Sequence, residues 1–111
     1  MRRAVPPSLR PALDTYITRL RTRFGGRLRE LRLFGSYARG EATEQSDVDV
    51  LVIVDGLTEM ERLVVVDEAT AVMLETGLCI APLPLSQEKL EELRRRERAL
   101  VRALDEEGIA V

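Results

Sequence analysis

Residues 48–54 read Val-Asp-Val-Leu-Val-Ile-Val, a β-branched apolar run broken by a single carboxylate. Such a run fits a central strand buried on both faces, and a strand of that kind needs flanking helices to cover it. Asp49 is the anomaly, because an acid within a buried strand is costly unless a cation or hydrogen bonds offset it. Asp47 lies two positions earlier. Side chains at i and i+2 of a strand share a face, with Cα atoms about 7 Å apart, so the two carboxylates can converge on one or two hard cations. Val48 and Val50 then point the other way, into the core. The alternative is that Asp47 caps a turn after Ser46 and Asp49 lies on an exposed strand edge.

Around this strand the chain divides into short, well-punctuated elements. Leu9, Leu13, Tyr16, Ile17, Leu20 and Phe24 recur at helical spacing, with Ser8 as the expected cap, Pro11 in the first turn and Gly25-Gly26 as the stop. Leu28 to Phe34 alternates: Leu28, Glu30, Arg32 and Phe34 on one side, Arg29, Leu31 and Leu33 on the other. That pattern predicts a strand. Gly35 to Arg39 is a glycine-bounded turn with room for one helical turn, and residues 40–46 read as a loop. Thr58 and Glu61 form a capping box ahead of a helix that ends at Gly77. Leu78 to Leu85 is a third strand, and Pro82 and Pro84 place it at a sheet edge. Ser86 caps a last helix that Gly108 ends. The order αβαβαβα predicts a small α/β (α+β) domain: a three-stranded mixed sheet flanked by about four helices. Residues 1–111 are expected to form one domain, with residues 1–7 as a flexible N-terminal arm.

Composition narrows the chemistry. The chain has no histidine and one cysteine, Cys79, so zinc sites, Ser-His or Cys-His catalysis and internal disulfides are excluded. The single cysteine points to a cytoplasmic location. No apolar run approaches the roughly 20 residues of a membrane span, and the start is not a secretory signal. Metal chemistry has to run on carboxylates, hence on a hard ion such as magnesium. The net charge of −2 conceals a split: residues 1–40 carry ten arginines against Asp14 and Glu30, and the remainder carries seven basic and seventeen acidic side chains. A split of +8 against −10 suggests a basic surface on one side of the fold. The pI of about 5.3 speaks against nonspecific nucleic-acid binding.

The segment Gly35-Ser36-Tyr37-Ala38-Arg39-Gly40 stands at the end of one predicted strand, and Ser46-Asp47-Val48-Asp49 opens the next. Glycine allows close backbone approach to a ligand, and N–H groups where a strand turns into a helix bind phosphate. The Ser36 hydroxyl can donate to a phosphate oxygen and Arg39 can add a cation. Neither a P-loop nor a dinucleotide fingerprint is present. A phosphate turn beside a metal-binding Asp-x-Asp places triphosphate oxygens and a divalent ion together, the arrangement that nucleotidyl transfer needs.

These residues closely resemble the signature of the minimal nucleotidyltransferases of the DNA polymerase β superfamily: Gly-Ser, ten residues, then Asp-x-Asp. Gly35, Ser36, Asp47 and Asp49 fit it without a gap. The resemblance implies the nucleotidyltransferase fold, magnesium held by Asp47 and Asp49 as catalytic carboxylates, and nucleoside triphosphate held by Gly35, Ser36 and Arg39. It also implies an antitoxin paired with a HEPN-domain toxin, transferring AMP from ATP onto a tyrosine of that toxin. Active members usually carry a third carboxylate on the third strand, whereas here residues 78–85 contain no acid and Glu75 and Glu88 flank them. Two accounts are therefore open. Either the protein transfers a nucleotide, or it binds nucleotide or partner and neutralises the toxin by complex formation alone.

Other features read more plainly. Arg94-Arg95-Arg96 with Arg98, interleaved with Glu91, Glu92 and Glu97, is a solvated helix face. Tyr37 fills space beside the turn, and Cys79, flanked by apolar residues, belongs in the core. The helix over 59–76 is apolar on more than one face, leaving a surplus for a partner or a second copy.

Overall fold

The computed structural model describes residues 5–43 and 46–111. Its elements run α1 (Arg10–Phe24), β1 (Leu28–Phe34), α2 (Gly35–Arg39), β2 (Val48–Val54), α3 (Glu59–Thr76), β3 (Ile80–Leu85), α4 (Gln87–Arg96), α5 (Arg98–Glu107) and β4 (Ile109–Ala110). The strands form one mixed sheet in the order β3-β2-β1-β4. β1 is antiparallel to β2 and β4, and β2 is parallel to β3. The apolar run therefore lies between two neighbours, and the proline-bearing strand lies at an edge. Of the N-terminal arm, residues 1–4 lie outside the described residues. Val5 packs against the core. Among the described residues no helix is long and apolar enough to cross a membrane.

Alternation along β2 divides the core in two. Val48, Val50, Val52 and Val54 face α1 and α3, meeting Leu13, Tyr16 and Leu20 from the first and Val65, Ala69 and Val72 from the second. Leu51 and Ile53 face the opposite way and are covered by Leu90 of α4 and Val101 of α5. Asp49 shares this second face and lies only half-buried. Helices thus cover both faces of the strand, and the cover on one face stops short of its first residues.

Several elements depart from the sequence reading. The sheet has four strands rather than three, because Ile109 and Ala110 pair with Leu33 and Arg32 of β1. Two residues carry too little pattern to be recognised as a strand. The last helix is two helices, broken at Glu97, which adopts φ −126° and ψ 64°. Ser8 does not cap α1. It lies in a 3-10 turn, Pro7–Leu9, and α1 starts without a side-chain cap. The β1 alternation fails at its start, where a bulge shifts the register between Leu28 and Glu30. Leu28 consequently joins the α1/α3 core and not the face of Glu30. The helical turn expected over residues 35–39 is present as α2.

Across the charge split, several of the early arginines pair with acids brought to them by the fold. Glu68 of α3, only 7% exposed, is held by Arg19 at 2.6 Å and Arg23 at 3.2 Å, both from α1. Arg27 binds Glu61 at 2.7 Å, Arg29 binds Asp55, and Arg32 binds Asp105 at 2.9 Å and Glu30. Glu61 also closes the capping box on Thr58. The Arg27 guanidinium and the Thr58 N–H hold its carboxyl down to about 2. Arginines early in the chain thus meet acids from its later part.

Candidate active site

The site is built where β1 ends and β2 begins. These strands are antiparallel neighbours, and Phe34 is in register with Asp49. Residue 35, one step past Phe34, therefore lies beside the Asp49 side chain. Gly35 has φ +72°. A Cβ there would approach Asp49 Cγ to 3.1 Å and come closer still to Oδ2. Only glycine satisfies both the backbone conformation and the contact. Gly35 is also the first residue of α2, whose preceding residue, Phe34, offers no side-chain cap. The first N–H groups of a helix lack acceptors within it, so this end of α2 presents donors next to an acid.

Asp47 is exposed and Asp49 half-buried. Burial, with the Asp47 charge added, pushes the Asp49 carboxyl above its ordinary value, and Arg39 pulls it partly back. A cation placed between the two carboxylates would relieve the cost of ionising Asp49. The loop before Asp47 is fastened by the Thr43 N–H donating to Ser46 Oγ at 2.9 Å. Ser36, half-buried in the first turn of α2, uses its C=O to accept from Glu41 N–H at 2.9 Å. Tyr37 packs against the core and its hydroxyl donates to the Thr43 C=O at 3.4 Å.

Gly35, Ser36, Asp47 and Asp49 are thus brought to one corner. Arg39 comes from the same short helix, but its guanidinium is engaged: Nε meets Glu41 at 3.1 Å and Nη1 meets Glu107 of α5 at 3.4 Å. Sequence reasoning did not find Glu107, because a contact over 68 positions leaves no local signal.

Cys79 requires a correction as well. It is exposed, not core. Its C=O accepts from Val48 N–H at 2.9 Å, which continues the parallel β2–β3 ladder one step before β3 starts. This places Cys79 beside Asp47, whose carboxylate, together with burial, raises the thiol pKa. The same register sets Ala81 beside Asp49. The positions that face the two acids are therefore a thiol, one step before β3, and a methyl group on β3. Among the described residues no three acids, cysteines or histidines converge.

Comparison with known proteins identifies the family of the chain. The family described as nucleotidyltransferase domain matches residues 13–107. A Methanocaldococcus jannaschii protein named "Putative protein adenylyltransferase MJ0604" is 35% identical over 77 residues, covering 69% of this chain and 73% of the relative. The protein adenylyltransferase MntA of Thermococcus cleftensis is 40% identical over 62 residues, covering 56% of this chain and 61% of the relative. A crystal structure of a toxin-antitoxin with AMP-PNP superposes with a TM-score of 0.57 over 87% of this chain and 70% of that one, at 21% identity, a likeness of fold.

Proposed function

Because the chain belongs to the nucleotidyltransferase domain family, we propose that it is a magnesium-dependent protein adenylyltransferase acting as the antitoxin of a toxin-antitoxin pair, with residues 1–111 as one catalytic domain. The observation that carries this reading is the contact between Gly35 and Asp49, which joins the phosphate-binding turn to the acidic pair. Named relatives are adenylyltransferases, and a structural neighbour is a toxin-antitoxin with AMP-PNP.

The two carboxylates at the corner fit magnesium, an ion that binds through one or two carboxylates plus substrate phosphates. Asp47 and Asp49 would hold it. Bound there, it would offset charge on the attacked phosphate and on the leaving pyrophosphate. The N–H groups of Gly35 and Ser36 and the Ser36 hydroxyl orient the triphosphate, and Arg39 adds positive charge once released from its two glutamates. In the reaction the acceptor oxygen bonds to the α-phosphorus as the bond to the bridging oxygen breaks. Pyrophosphate leaves, and the hydroxyl proton passes to solvent or to a carboxylate of the acceptor protein. A tyrosine hydroxyl, with a pKa of about 10, loses its proton far more readily than an alkyl alcohol. This suits a site whose third strand offers Cys79 and Ala81 where a third acid would stand. The acceptor in this reading is a tyrosine of a HEPN-type toxin, in the cytoplasm.

The test uses ATP labelled on its α-phosphate, magnesium and the toxin encoded beside this protein. Label should appear on the toxin and disappear with Asp47→Asn or Asp49→Asn. A second reading, neutralisation by complex formation alone, is favoured by the absence of a third converging acid among the described residues. It predicts that the Asn variants still silence the toxin in cells and that the wild type transfers no label.

A further inference from the structure

The exposed face of α3 is apolar along most of its length. Met60 is 74% exposed, Leu63 59% and Leu74 80%, with Val66 and Met73 also exposed. From Met60 to Leu74 the stripe runs about 20 Å at 1.5 Å per residue. With Thr70, positions 60, 63, 66, 70 and 73 recur every three or four residues, and Leu74 lies four after Thr70 on the same face. That spacing is the seam of one helix packing along another, with knobs from each set into holes of its neighbour. The opposite face of α3 already buries Val65, Ala69 and Val72 in the core. The stripe is therefore surplus to this fold, and apolar area of this extent marks an interaction surface.

Charge selects the occupant. The charged residues within the exposed stripe are Glu59 and Asp67, with Glu75 just beyond its end. A parallel pairing of two copies would set Glu59 against Glu59 and Asp67 against Asp67. An antiparallel pairing centred between Met60 and Leu74 falls on Asp67, again setting Asp67 against itself and Glu59 near Glu75. Symmetric homodimers contact through the same patch on both copies, so either arrangement opposes acids, and like charges so placed are repulsive. Arg62, the base on this helix, donates to the Pro84 C=O at 2.7 Å and lies 3.9 Å from Glu59, so the opposition of Asp67 to itself is the one that no base of α3 relieves. We infer that α3 docks an amphipathic helix of a different protein, one whose apolar seam is flanked by lysines or arginines.

The probe is a labelled 21-residue helix-forming peptide with leucines at its seam and lysines at the flanking positions, beside a version with glutamates at the flanks. Fluorescence anisotropy should show saturable binding of the lysine peptide and at least ten-fold weaker binding of the glutamate one. Leu63→Glu combined with Leu74→Glu should abolish binding and leave the melting temperature unchanged, because both side chains are exposed. The surface is separate from the transfer chemistry, so Asp49→Asn should bind the peptide as the wild type does, whatever becomes of the catalytic reading. Equal affinity for the two peptides, or no binding of the lysine peptide, overturns the inference. So does a wild-type dimer, seen by light scattering, that the double glutamate variant dissociates, since a second copy would then be the occupant.

Discussion

Gly35 and Asp49 occupy one another's space: a methyl group on Gly35 would enter the Asp49 carboxylate, with Cγ only 3.1 Å away. The turn and the acid therefore hold their positions together, although thirteen residues separate them in the chain.

Gly35→Ala should damage both stability and chemistry. The positive φ costs about 1–3 kcal/mol for a residue with a side chain, and the displaced carboxylate should lower transfer on the order of 100-fold. Gly40→Ala is the control. Its φ is +73°, but a methyl group added there would meet nothing within 4 Å, so it should lose comparable stability and keep nucleotide binding. Thermal melts and nucleotide titrations of the two variants separate strain from collision.

The raised carboxyl of Asp49 has a definite consequence for stability. Its folded value lies above the unfolded one, so the group favours the fold when protonated, and that benefit is lost as pH rises through the raised value. Asp49→Asn should accordingly be more stable than the wild type at pH 7–8 in metal-free buffer. The difference should close as pH falls toward the ordinary carboxylate range near 4. Added magnesium should stabilise the wild type and not the variant. Urea melts at pH 4 and pH 8, with and without magnesium, check each part.

Arg39 is shared among Glu41, Glu107 and any incoming phosphate. Glu107→Gln frees one of its bonds and should tighten triphosphate binding. Exposed ion pairs contribute about 0–1 kcal/mol, so the gain should be at most about five-fold and should vanish in 0.5 M salt. Arg39→Ala should weaken binding instead. Equilibrium binding of a fluorescent ATP analogue at two salt concentrations measures both effects.

Cys79 reports on the site. With its thiol pKa raised by Asp47, it should react slowly with N-ethylmaleimide near neutral pH, because the thiolate is the nucleophile. Asp47→Asn should speed the reaction, and ATP with magnesium should slow it in the wild type by covering the corner. Mass spectrometry of timed quenches follows all three.

Much of the site was legible from residue types and spacing. Asp47 and Asp49 announce themselves as acids opening an apolar strand, and Gly35-Ser36 lies at the strand end that precedes them. The capping box of Thr58 and Glu61 is satisfied as its spacing requires. What stayed hidden depends on partners remote in sequence. Cys79 looks like a core residue among apolar neighbours, and only its place one step before β3, beside Asp47, brings it to the surface corner. Which residue faces Asp49 across the sheet cannot be sought by composition either, since the β2–β3 register decides that it is Ala81.

Periods, stops and the chemistry of the signature could be read along the chain unaided, because helix and strand patterns, caps and glycine turns are local physics. Other features exist only in three dimensions: the pairing of Ile109 and Ala110 with β1, the break at Glu97, and the arginines of α1 closing on Glu68. The reach of Glu107 to Arg39 belongs with them. Those outcomes arise from contacts between residues far apart in the chain, whose energies exist only once the sheet has brought them within reach.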